Sequence, residues 1–212
     1  MKKLLVVITV AISLIFGVVG IAGATVIDFD DITTDYYSQI PSDYEGLNWD
    51  INSYVVSDNY YMSNFGNSYG SPSGEYAAFN GYGDPAISVS LGSGDAFNFI
   101  GASFTGWAYE NAFAEYSSTS ITVTGYNNST SVGSVAMDLA ANQYDWLQAD
   151  LMGVDQLVFQ ASGDARFWLM DDFTYNTDVP TPDVIPNPEP ATLLLLGSGL
   201  VGLVGLGRKK LF

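Results

Sequence analysis

The stretch from Thr25 to Tyr175 repeats short segments in which apolar and polar residues alternate, without sustained helical periodicity. Ile87, Val89 and Leu91, for example, are separated by serines, which is the two-residue period of a half-buried β-strand. Turns rich in Gly, Asn and Asp separate these segments, and the pattern predicts an all-β fold, a two-sheet β-sandwich of the jelly-roll type. Strands are predicted at 26–30, 47–56, 76–80, 87–91, 96–104, 120–124, 132–137, 146–150, 156–160 and 166–175.

Two irregular segments interrupt the strand pattern. Residues 107–115 predict one short helix, and residues 59–74, rich in Tyr, Ser, Asn and Gly, predict a long surface loop. The 212 residues of the chain leave room for one domain of this kind with appendages at its ends.

The N-terminus has the parts of a secretory signal peptide. Lys2 and Lys3 precede an apolar run that ends at Ile21, and three small residues follow it. We predict cleavage by signal peptidase after Ala24, so that residues 1–24 are removed during export. The apolar run is longer than usual, and an uncleaved inner-membrane anchor is therefore the alternative.

A second apolar segment lies near the C-terminus. Residues 191–207 are just long enough to span a bilayer as a helix. Three basic residues follow directly, and the positive-inside rule places them in the cytoplasm, with the preceding domain on the other side of the membrane. Residues 177–187 are rich in Pro and predict an extended linker. A plain tail anchor is the simplest alternative.

The tripeptide Pro188-Glu189-Pro190 precedes this apolar segment, and Arg208, Lys209 and Lys210 follow it. In this arrangement residues 188–212 resemble the PEP-CTERM sorting signal of Gram-negative bacteria, which consists of a tripeptide, an apolar helix and a basic end. The resemblance implies recognition by an exosortase, a membrane enzyme that cleaves near the tripeptide. It also implies secretion across the inner membrane and transfer to the cell surface or extracellular matrix, so that the protein is membrane-anchored only before processing. The residues that carry the signal are Pro188, Glu189, Pro190, Arg208, Lys209 and Lys210.

The predicted sandwich, residues 25–176, opens with Ile27-Asp28-Phe29-Asp30 and closes with Met170-Asp171-Asp172-Phe173. With these two motifs it resembles the jelly-roll domains commonly found ahead of this signal. The resemblance implies a galactose-binding-like sandwich of the kind that carbohydrate-binding modules use, and it leaves the ligand open.

Charge and missing residue types exclude several functions. The chain contains no His and no Cys, which excludes a His general base, a thiol nucleophile, disulfides and the usual zinc ligands. Of its 23 acidic residues only Glu189 lies outside residues 25–187, which leaves 22 acids there against one base, Arg166. Nucleic acid binding is excluded, because it needs Lys and Arg at the phosphates.

Five acidic residues are candidate ligands for calcium, which prefers hard oxygen ligands. The first and last strands of a jelly roll lie close together, and strand alternation turns Asp171 inward, where a carboxylate needs a cation or hydrogen-bond donors. The alternatives are that Asp171 and Asp172 cap backbone amides at a bend, or that one of them pairs with Arg166. The candidate ligands are Asp28, Asp30, Asp31, Asp171 and Asp172.

Aromatic residues in the two irregular segments are candidates for stacking on a sugar. Flat rings beside polar side chains are the usual equipment of a glycan site. These candidates are Tyr60, Tyr61, Tyr69, Trp107 and Tyr109. We therefore expect a non-enzymatic surface or matrix protein that binds exopolysaccharide or another glycan, with a secreted carboxylate-dependent glycoside hydrolase as the alternative.

Overall fold

The computed structural model describes residues 23–65, 70–108, 114–162 and 166–179, without the side chain of Phe65. All of them belong to one compact unit of the chain, which ends at residue 179. The predicted transmembrane segment and all but two residues of the predicted signal peptide lie outside these ranges. Within them, no helix is long and apolar enough to cross a membrane.

The described residues form twelve strands, one α-helix and three single 3-10 turns. The strands are β1 (Thr25–Ile27), β2 (Tyr37–Gln39), β3 (Leu47–Trp49), β4 (Ser53–Ser57), β5 (Tyr76–Asn80), β6 (Ala86–Leu91), β7 (Phe97–Gly106), β8 (Ser120–Asn127), β9 (Thr130–Asp138), β10 (Asp145–Val154), β11 (Gln156–Ala161) and β12 (Trp168–Asn176). The helix is α1 (Asp58–Phe65), and the 3-10 turns are Tyr44–Gly46, Gly81–Gly83 and Ala114–Tyr116.

The strands form two antiparallel sheets. The seven-stranded sheet has the order β10-β7-β12-β5-β4-β2 with β1 also paired to β12, and the five-stranded sheet has the order β3-β6-β11-β8-β9. Strands β5 to β12 alone give β5-β12-β7-β10 facing β6-β11-β8-β9, which is the eight-strand connectivity of a jelly roll. The predicted two-sheet sandwich is therefore confirmed, and the earlier strands extend both of its sheets.

Aromatic side chains dominate the core between the sheets. Phe99 and Phe173 come from the seven-stranded sheet, and Phe159 comes from the five-stranded sheet. Their ring centroids lie 4.9 Å apart for Phe99 and Phe173 and 5.9 Å apart for Phe99 and Phe159, and all three are fully buried. Each such side chain stabilises the fold by about 1.5–3 kcal/mol through burial, which lets a domain without disulfides hold together.

The predicted strand at 47–56 is two strands, β3 and β4, which belong to different sheets. A turn separates them, because the Asp50 carboxylate accepts the N–H of Asn52 at 2.9 Å and the Asp50 carbonyl accepts the N–H of Ser53 at 2.9 Å. Asp and Asn favour turns of this kind. The turn was not predicted because the alternation of apolar and polar residues continues through it. The short strand β2 had no pattern long enough to predict it.

The predicted loop at 59–74 is wrong in its first half, where α1 forms. The Ser57 hydroxyl accepts the N–H of Tyr60 at 3.4 Å, which places Ser57 as the N-cap of the helix. The helix predicted at 107–115 is not formed by the described residues of that segment. Trp107 and Ala108 are not helical, and residues 114–115 begin the 3-10 turn Ala114–Tyr116.

Candidate functional site

Two of the rings predicted to bind a sugar lie in a second apolar cluster, on the face of the seven-stranded sheet that points away from the five-stranded sheet. Tyr61 is 2% exposed and Trp107 is 6% exposed, and their ring centroids are 5.1 Å apart. Trp107 also contacts the rings of Phe79 at 5.3 Å and Phe167 at 5.0 Å. Their predicted exposure in loops is wrong, because α1, which carries Tyr61, packs on this outer face.

Tyr60 is half-buried at the margin of the same cluster. Its ring stacks on Tyr36 at 5.4 Å and meets Tyr37 at 6.0 Å. Tyr36 and Tyr37 are exposed and line an open cleft of about 460 Å³. The other two predicted rings, Tyr69 and Tyr109, lie outside the described residues.

Asp171 is fully buried, but it does not point into the sandwich core. A β-bulge at Asp172, whose φ is 52°, shifts the register of β12 against β7 between Asp171 and Thr174. Asp171 therefore shares the outer face with Leu169, whereas Phe173 packs between the sheets. The prediction that strand alternation turns Asp171 inward is wrong for this reason.

The carboxylate of Asp171 is bound by hydrogen-bond donors of the protein. Its Oδ2 accepts the N–H of Ser73 at 2.9 Å and the Ser73 hydroxyl at 3.0 Å, and its Oδ1 accepts the N–H of Asp172 at 2.7 Å. Burial raises the pKa of Asp171 to about 7, more than these hydrogen bonds lower it, and the charge of Asp172 raises it further. Asp171 thus accepts backbone N–H groups, as the alternative of amide capping predicts for this one of the two residues.

Two further carboxylates hold the same segment of backbone before β5. Oδ1 of Asp30 accepts the N–H groups of Glu75 at 2.8 Å and Tyr76 at 3.0 Å. Asp58 accepts the N–H and the hydroxyl of Ser71, both at 2.8 Å, and burial raises the pKa of Asp58. Backbone N–H groups thus stabilise these carboxylates, which is the role that a bound cation was predicted to have.

Two of the remaining predicted calcium ligands, Asp28 and Asp31, also have partners within the protein. Oδ1 of Asp28 accepts the N–H of Asp30 at 3.3 Å, and Oδ1 of Asp31 accepts the Tyr44 hydroxyl at 2.6 Å. β1 pairs with β12 as expected, yet the described ranges contain no group of three or more acidic side chains that could hold a metal ion. Calcium binding stays a prediction, and it would have to compete with these hydrogen bonds.

Trp146 was predicted only as a strand residue, and the structure places it on the outer face of β10. Its neighbours Leu147 and Ala149 are buried in the core, whereas 44% of the Trp146 side chain is exposed. The indole lies against Gly101 of β7, because a Cβ on Gly101 would be 2.7 Å from Cζ2 of Trp146. The glycine lets the ring rest directly on the sheet.

Hydrogen bonds along β10 hold the orientation of the Trp146 ring. Nε1–H of Trp146 donates to Oε1 of Gln148 at 2.9 Å, and Nε2 of Gln148 donates to Oδ1 of Asp150 at 2.7 Å. Asp150 has a φ of 47° and lies where the register of β10 against β7 shifts. β-bulges of this kind redirect side chains and are common beside functional sites.

The Trp146 ring has polar neighbours on the two adjacent strands. Trp146 pairs with Ser103 of β7, which pairs in turn with Asp171 of β12, and the Ser103 hydroxyl lies 3.5 Å from Oδ2 of Asp172. Gly101 pairs with Thr174 in the next row. We call this surface the Trp146 patch. Its residues are Trp146, Gln148, Asp150 and Asp172, together with Ser103 and Thr174, whose side chains are buried. The only sequence signal for this patch was a Trp at a position of the predicted strand where the apolar–polar alternation places polar residues.

The residues of the predicted sorting signal lie outside the described ranges, but their sequence identifies the signal. Residues 188–209 match the PEP-CTERM protein-sorting motif, which confirms the resemblance. The match covers the C-terminal segment alone. No curated protein matches the chain.

Several solved structures are similar to this chain at low sequence identity. A DUF4465 family protein from Bacteroides caccae is 13% identical, with 74% of this chain and 100% of that chain covered and a TM-score of 0.49. The CBM22-1-CBM22-2 tandem domain of Paenibacillus barcinonensis Xyn10C is 12% identical, with 75% and 47% covered and a TM-score of 0.43. TmCBM61 in complex with β-1,4-galactotriose is 16% identical, with 70% and 92% covered and a TM-score of 0.33.

Proposed function

We propose that this protein is exported across the inner membrane of a Gram-negative bacterium, is held there by its C-terminal segment and is then processed by an exosortase. The sorting motif at residues 188–209 supports this route. The processed protein reaches the cell surface or the extracellular matrix, where its sandwich domain binds a glycan without cleaving it.

The Trp146 patch is the observation that carries the glycan-binding proposal. A Trp ring that rests on the backbone of Gly101 and is held by Gln148 offers a flat apolar surface to the C–H face of a sugar. The exposed Gln148 amide and Asp150 carboxylate, and the half-buried Asp172 carboxylate, can bind sugar hydroxyls. Because the ring is already fixed, binding would not have to order it.

Charge restricts the class of glycan. Residues 25–187 carry 22 acids and one base, a net charge of 1 minus 22, or −21. A polysaccharide of uronic acids would be repelled by this field, whereas a neutral polysaccharide or one with free amines would not. We therefore propose a neutral or basic glycan as the ligand.

Replacing Trp146 by Ala is expected to weaken glycan binding by about two- to tenfold, the loss of one stacking contact of ~0.5–1.5 kcal/mol. The measurement is binding of residues 25–179 to neutral, amine-bearing and uronic acid polysaccharides. Tyr116→Ala is the matched control, because Tyr116 is also 44% exposed and lies outside the patch. Equal losses in both variants, or unchanged binding in Trp146→Ala, would remove the patch from the proposal.

The same assay separates binding from hydrolysis. Asp171 has the raised pKa expected of a general acid, but it is fully buried under Ser73 and cannot reach a glycan. A hydrolase that acted on a glycan bound at the patch would instead need the accessible acids Asp150 and Asp172. Release of reducing ends that disappears in Asp150→Asn or Asp172→Asn would establish the hydrolase in place of the binding module.

Replacing Glu189 by Ala is expected to leave the full-length protein in the membrane, because the exosortase loses part of its recognition tripeptide. The measurement is the ratio of full-length to processed protein in membrane and released fractions. Asp183→Ala in the preceding linker is the control and should be processed normally. Unchanged release of the Glu189→Ala protein would reduce residues 191–207 to a simple anchor.

A further inference from the structure

Strand β9 is a free edge of the five-stranded sheet in the part of the chain that the structure describes. It has nine residues and pairs only with β8. Natural edge strands are usually protected by Lys, Pro, short length or bulges. From Thr130 to Met137 β9 contains no charged residue and no Pro, and its ladder with β8 is irregular only near the hairpin, at Gly125 and Tyr126.

The core-facing side chains of β9 are incompletely covered. Val135 pairs directly with Val123 of β8, and Met137 pairs with Ile121. Val123 and Ile121 are completely buried, whereas Val135 and Met137 pack on the same core and are only half-buried. The difference arises because β8 has a strand on each side and β9 has one on one side only. Apolar surface is therefore left exposed along this edge.

The segment of chain that forms β8 and β9 also lacks charge up to Asp138. No charged residue occurs between Glu115 and Asp138 in a chain whose net charge is −17. The solvent-facing side chains of β9 are small, with Ser134 paired to Thr124 and Ala136 in the next row. Two copies of such an acidic chain repel each other in most relative orientations. The repulsion is weakest where they meet through this uncharged strand.

We propose that β9 pairs antiparallel with β9 of a second copy of this chain, which joins the two five-stranded sheets across a two-fold axis. One self-complementary surface then serves both copies. The free N–H and C=O groups of the edge would gain partners, as in other cases of strand addition. Val135 and Met137 of each copy would cover those of the other, and antiparallel pairing keeps the two Asp138 carboxylates at opposite ends.

The test uses the full chain, purified in detergent, and measures its mass by sedimentation equilibrium over a range of concentrations. We expect a dimer. Ala136→Lys adds a charge beside the edge and should raise the dissociation constant about tenfold or more. The substitution reduces the magnitude of the net charge from 17 to 16, so a change in nonspecific repulsion alone would strengthen association.

Ser88→Lys is the matched control. Ser88 lies on β6, three strands from β9, in the row that contains Thr124 and Ser134 on the same face. Ser88→Lys changes the net charge by the same amount as Ala136→Lys and should leave the dimer intact. Val132→Lys, at a position 50% exposed, is a second edge variant in case Ala136→Lys does not fold.

Two results would overturn the proposal. One is a monomeric full chain at every concentration measured. The other is a dimer that persists unchanged in a folded edge variant, which is what association through the C-terminal apolar segment would give. Far-UV circular dichroism shows whether each variant is folded. Hydrogen exchange adds a local readout, because β9 amides should become more protected as the concentration rises.

Discussion

Raising the pH from about 5 to about 8 is expected to lower the free energy of unfolding of residues 25–179 by several kcal/mol through Asp171 alone. Its pKa is about 7 in the folded chain, against an ordinary value of 3.8. Between these two values the folded state binds a proton that the unfolded state has lost. The contribution of Asp171 to the free energy of unfolding is therefore largest below about pH 4. It decreases between about pH 4 and pH 7 and is constant above pH 7.

The size of the effect follows from the two pKa values. One pKa unit corresponds to about 1.4 kcal/mol, so the complete change from below pH 4 to above pH 7 is about 4 kcal/mol, of which about 3 kcal/mol falls between pH 5 and pH 8. Asp171 is fully buried, so solvent does not screen this contribution. The raised pKa of Asp58 acts in the same direction, and so does repulsion among the 22 acids of residues 25–187.

Asp171→Asn separates this one group from the others. Urea unfolding of both proteins at several pH values should show a smaller loss of stability with rising pH in the variant. At low pH the variant should be less stable by about 1–3 kcal/mol, because its amide group presents N–H to a backbone N–H of Ser73 or Asp172. Parallel pH curves for the two proteins would contradict the assignment to Asp171.

The calcium prediction is tested in the same experiment. If a cation binds at Asp171, millimolar calcium should stabilise the protein at pH 8 more than sodium chloride of matched ionic strength. Asp171→Asn should lose this additional stabilisation. Equal effects of the two salts would mean that calcium acts only by screening, and the prediction would be withdrawn.

Trp107→Ala is expected to destabilise the domain by about 3–5 kcal/mol, the usual cost of removing a buried Trp. The indole is surrounded by the rings of Tyr61, Phe79 and Phe167, so its loss leaves a cavity that rigid neighbours cannot fill. Trp146→Ala is the comparison and should cost much less stability, since 44% of that side chain is already exposed.

Urea unfolding and glycan binding measured on both Trp variants distinguish a structural ring from a binding ring. Trp107→Ala should lose stability and bind normally under conditions in which it stays folded. Trp146→Ala should keep its stability and bind weakly. The reverse result would restore the sequence-based assignment of Trp107 to the glycan site.

The sandwich was predictable because its signals are local. Alternation in β6, β8 and β11 follows from which side chains face the core, and a period of two residues can be read within one strand. The sorting signal at 188–209 is likewise a short contiguous pattern. Ser57 and Asp58 are a weak signal for the start of a helix. The Tyr, Ser, Asn and Gly residues that follow favoured a loop instead, so α1 was not predicted.

The site depends on contacts between residues far apart in the chain, and those only the packed structure reveals. Ser73 and Asp171 are 98 positions apart, and nothing near either one shows that the serine will hold the buried carboxylate. Trp146 rests on Gly101 only because β10 and β7 pair in one register. Strand alternation assigns a side chain to a face but does not say what covers that face. Burial under α1 therefore made Trp107 a structural residue, and an uncovered sheet left Trp146 open to a ligand.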